Sequence, residues 1–128
     1  MIGGRDQAEL TQVQDLLPTL LELSGVPAPA GARFDGRSLA PLLRKGASSW
    51  SDRMLVIDYS RMPTTTDAAG ADAASLPSKE GAAVLWGRWR WLENRALYDL
   101  AADPRQERDV AAAHPEVAMR MRAHLDSW

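Results

Sequence analysis

Cysteine is absent from this 128-residue chain. That excludes a disulfide scaffold, a thiolate zinc site and a cysteine nucleophile. A dominant charge is absent too: 15 Lys+Arg stand against 17 Asp+Glu, a formal net charge of −2. A nucleic-acid binder needs a basic face to displace counterions from phosphates, so that class is excluded. No apolar run approaches the roughly 20 residues that a membrane span needs. The first twenty residues carry Arg5, Asp6 and Glu9 and do not read as a signal peptide. A soluble chain is expected, its compartment left open. Large apolar residues are in modest supply, because 21 of the 58 hydrophobic residues are Ala. The remainder permits the core of one small domain but not a generous one.

What is present is unevenly placed. Residues 1–12 are polar and contain glycine, and read as a flexible lead-in. Asp15-Leu16-Leu17-Pro18-Thr19-Leu20-Leu21-Glu22-Leu23-Ser24-Gly25 predicts a short helix. Asp15 is its expected cap, Pro18 sits in the first turn, and Gly25 suits a left-handed stop. Its five leucines cover most of the circumference, which predicts burial on more than one side. After a Pro/Gly loop over 26–37, residues 38–46 repeat the device: Ser38 as cap, Pro41, Leu42-Leu43 and Gly46.

The second half has strand character. Residues 54–59, 82–86, 88–93 and 96–100 read as strands, with breaks at Gly87 and Asn94-Arg95. Links this short favour antiparallel pairing. Trp89 and Trp91 alternate with Arg88 and Arg90, which places the indoles on one face and the guanidinium groups on the other. Residues 61–80 are polar, without helical or strand period, and are expected to form a long mobile loop. Pro115 opens a last helix whose Val117, Met121, Leu125 and Trp128 make one apolar stripe. The fold class is therefore α+β: two short N-terminal helices, then a small antiparallel sheet of about four strands packed by a C-terminal helix.

Chemistry is hard to find. His114 and His124 are ten residues apart, about 80° off a common helical face. Metal-pair spacing is lacking. They read as a cap residue and a surface residue. Asp99 and Asp103 flank Tyr98; they offer cation ligands, but an Asp before Pro104 more commonly organises a turn. The Arg/Trp alternation is compatible with a stacking platform, and period-two burial explains it more simply.

Three motifs in order nevertheless resemble one family. DLLPTLLELSGVPAPAGARFDGRSLAPLL is similar to the Asp-x-x-Pro-Thr-Leu-Leu helix, Gly-Val-Pro loop and Asp-Gly-x-Ser-Leu segment of the sulfatases, in the alkaline-phosphatase superfamily. Asp15, Pro18, Thr19, Leu20, Leu21, Gly25, Pro27, Asp35, Gly36, Ser38, Leu39, Pro41, Leu42 and Leu43 match. AAVLWGRWRWLEN resembles the family's hairpin, with Arg90 at the basic position of its second strand. ALYDLAADPRQERDV resembles the Leu-Tyr-Asp-Leu-x-x-Asp-Pro segment through Leu97, Tyr98, Asp99, Leu100, Asp103 and Pro104. Asp109 stands where the family usually has Asn, and Ala96 where it has an acidic residue.

The resemblance covers roughly residues 13–125 and implies a sulfatase-like C-terminal domain over 13–128. It also implies that the reaction centre lies elsewhere. The family's Cys/Ser-x-Pro-x-Arg motif, oxidised to formylglycine, and its calcium-type ion belong to an N-terminal catalytic domain. Neither is expected in this chain. Ser75-Leu76-Pro77-Ser78-Lys79 has Lys where Arg belongs and falls out of order. The implied role is structural or at the pocket rim, without catalysis by the chain alone. Arg61 and Lys79, in the 61–80 loop, are the rim candidates. Leu16, Leu20 and Leu23 are the interface candidates, toward a sulfatase catalytic domain or a second copy. Two alternatives are a free-standing module that self-associates through the 16–23 and 39–43 faces, and a sugar-sulfate binder using Trp86, Trp89 and Trp91.

Overall fold

Four short apolar runs, each ended by glycine or polar residues, become the strands of one sheet. The computed structural model describes residues 7–44, 50, 52–58, 81–93 and 95–128. The strands are β1 (Met54–Ile57), β2 (Ala83–Trp86), β3 (Trp89–Leu92) and β4 (Ala96–Asp99). They pair antiparallel in chain order, β1-β2-β3-β4. The chain divides into two compact units, Met1–Asp52 and Arg53–Trp128.

In the second unit the register follows from the turns. Trp86 pairs with Trp89 across a two-residue hairpin loop, and Gly87 sits at φ 55. A primed turn needs a positive φ there, which glycine adopts without penalty. The pleat then sorts the side chains. Val84, Trp91 and Leu97 are paired neighbours and lie in the buried core with Ala82, Ala118, Met121 and Leu125. The last three come from the C-terminal helix α3 (Pro115–Ser127). Leu97, Met121 and Leu125 are fully buried, and each contributes roughly 1.5–3 kcal/mol by leaving water. The predicted stripe on α3 holds for Val117, Met121 and Leu125 but not for Trp128, which is 56% exposed at the helix C-cap.

The outer edge of β4 is occupied. The Val110 amide donates to the Leu97 carbonyl at 2.8 Å, and the Leu97 amide donates to Asp109 Oδ1 at 3.0 Å. The same Oδ1 accepts the Ala111 amide at 2.9 Å. One carboxylate thus finishes both an edge strand and the turn beyond it, leaving no donor orphaned there.

In the first unit, a single 3-10 turn (Val13–Asp15) leads into α1 (Leu16–Ser24), and α2 is one turn (Ala40–Leu43). Gly25 closes α1 at φ 68, and the Val26 amide reaches back to the Leu21 carbonyl at 3.0 Å, as a left-handed cap does. Ser38 Oγ accepts the Ala40 amide at the start of α2, 3.1 Å away. Asp15 departs from expectation. Its carboxylate makes no cap bond to α1; it turns backward and across instead. The expected burial of α1 on several sides is also corrected, since Thr19 is its buried residue. Gly46 and the 61–80 stretch, with Arg61 and Lys79, lie outside the described residues.

Candidate docking face

Two flanks of α1 have different fates, and short-range chemistry decides which is which. On one flank Asp15 is fully buried. Its Oδ2 accepts the Gln12 amide and its Oδ1 the Arg37 amide, both at 2.8 Å. Thr19 Oγ1 donates to the Asp15 carbonyl at 2.5 Å and accepts the Leu39 amide at 2.7 Å. Two side chains of the helix therefore hold the backbone of the 37–39 segment. Gly36 makes this possible: a Cβ there would lie 2.0 Å from the Gln14 carbonyl oxygen, so any side chain collides with backbone. The Asp-x-x-x-Thr and Asp-Gly-x-Ser-Leu motifs are the two halves of one clasp. An Arg44–Glu22 ion pair at 2.8 Å adds an exposed link between α2 and α1, of small worth in water.

The other flank is apolar and exposed. Leu16, Leu20 and Leu23 fall within about 60° of one another around the helix, and they are 52%, 62% and 50% exposed. Leu17 borders them, and Val13 and Val26, at either end, are exposed as well. A nine-residue helix is marginal by propensity alone and is ordinarily held by burying such a face. Here the clasp holds it and the leucines remain available. The structure thus brings together the three interface candidates from the sequence.

The other candidate groups are spent on structure. Arg88 grips Asp99 through both Nε, at 2.6 Å, and Nη2, and Asp99 Oδ1 also accepts the Ala101 amide at 3.1 Å. Asp103 Oδ2 accepts the Arg108 amide at 2.9 Å. These two carboxylates staple the turn after β4. Among the described residues, no group of three or more His, Asp or Glu is placed to hold a metal ion. His114 supplies no side-chain cap; its ring packs on Trp89 with centroids 4.7 Å apart. Trp91 is buried, and the Arg120 guanidinium covers the Trp86 ring at 4.0 Å. The three indoles therefore sit with the core and its α3 side. Sequence reasoning missed the Arg88–Asp99 pair and the Asp109 staple; the only signal was the density of Asp around Tyr98.

The described residues thus form a clasped, leucine-faced α1 in one unit and a four-stranded meander backed by α3 in the other. No family model matches the chain. It is 29% identical over 127 residues to an N-acetylgalactosamine-6-O-sulfatase of Bacteroides thetaiotaomicron, a match spanning 97% of this chain and 24% of that protein. A structure from work on the metabolism of multiple glycosaminoglycans by Bacteroides thetaiotaomicron, labelled 6S-sulf, shares the fold with TM-score 0.57 at 23% identity, over 88% of this chain and 24% of that one. The phosphonate monoester hydrolase of Agrobacterium radiobacter aligns with TM-score 0.52 at 25% identity, over 88% of this chain and 23% of that one. The chain is therefore similar to part of a sulfatase, and its fold recurs in both of these structures. It spans 24% of the length of the curated relative it matches.

Proposed function

We propose that this chain serves as the C-terminal portion of a sulfuric ester hydrolase, completing its fold and the rim of its pocket, with no catalysis of its own. The observation that carries this reading is the exposed Leu16, Leu20 and Leu23 face on a helix that the Asp15–Thr19 clasp already holds in place. A face of this kind marks an interaction surface. The match to 24% of a sulfatase supplies the occupant: the remainder of such an enzyme. Formylglycine and a calcium-type ion, in this reading, belong to that remainder. The test is an aryl sulfate assay on the purified chain, with and without calcium. No sulfate release is expected; turnover by the pure chain that Ser75→Ala abolishes would overturn the reading.

The same leucine face favours a second reading, association of two copies. Light scattering separates the two. A concentration-dependent dimer that Leu20→Ser disrupts supports self-association, and a strict, well-behaved monomer counts against an exposed apolar docking face.

A further inference from the structure

We draw no further inference here: the strongest candidate, the sheet face of Arg90 and its cross-strand neighbour Tyr98, opposite the one α3 covers, holds an enclosed Arg90 Nε without an acceptor, but nothing in the structure shows what covers that face.

Discussion

Asp15 and Asp109 do comparable work with a single carboxylate each. Both satisfy backbone amides far apart in sequence, Arg37 for one and Leu97 for the other. Leaving a buried amide without an acceptor costs about 1–3 kcal/mol. Asp15→Ala strands two amides and should lower stability by about 2–4 kcal/mol, read from the urea midpoint of the chain. Asp109 accepts through one oxygen only, so Asn, whose amide oxygen accepts equally well, should be nearly neutral there. Asp109→Ala should cost about 1–2 kcal/mol. A loss with Asn as large as with Ala would show that charge, not acceptance, is what matters. Gly36→Ala admits no accommodating rotamer, since the collision is with the Gln14 backbone. It should cost at least about 2 kcal/mol, visible as a lowered thermal midpoint.

At the level of elements, the sheet was largely legible and the clasp was not. Gly87, the period-two Trp pair and the short links placed β2, β3 and β4, an apolar run placed β1, and each observed strand lies within the run that predicted it. Those signals are local: each lies within a few residues of what it determines. The destination of Asp15 is 22 residues away, and nothing in its own neighbourhood distinguishes a clasp from a cap. The α1 leucines were legible in part, for a related reason: burial within the chain fails, while the three interface candidates are exposed. Apolar residues around a helix indicate that something covers it, without indicating that the cover lies in the same chain. The α1 face makes its own prediction. Replacing Leu16, Leu20 and Leu23 together with Ser should leave the unfolding free energy within about 1 kcal/mol of the parent, because exposed positions contribute little to folding. It should also reduce binding of a hydrophobic dye such as ANS. A collapse of the fold instead would show that these leucines are buried in solution.

For the molecule as a whole, the candidate site was legible as residue types and not as an arrangement. The motifs named Asp15, Asp99 and Asp103, and read Asp15 as a cap and Asp103 as a turn organiser, without revealing which amides and which arginine they meet, because a carboxylate reads alike in a sequence whatever its distant partner. Arg61 and Lys79 lie outside the described residues, so their proposed place at a pocket rim rests on the resemblance. What the described residues display is a set of stapled turns, a finished sheet edge and one helix with an exposed apolar face.

The clasp has an evolutionary corollary. Because Asp15 and Thr19 pin the 37–39 segment directly, the intervening stretch from Val26 to Phe34 is a closed loop whose ends are fixed whatever its contents. Doubling the length of such a loop costs only about 0.6 kcal/mol of closure entropy. Several Gly/Ser residues inserted after Ala30 should therefore barely move the unfolding midpoint, whereas one residue inserted between Gly36 and Leu39 should unseat α1. Length variation across descendants of this fold is expected to collect in the first stretch and to be missing from the second, making the loop a place where new sequence accumulates without disturbing the scaffold.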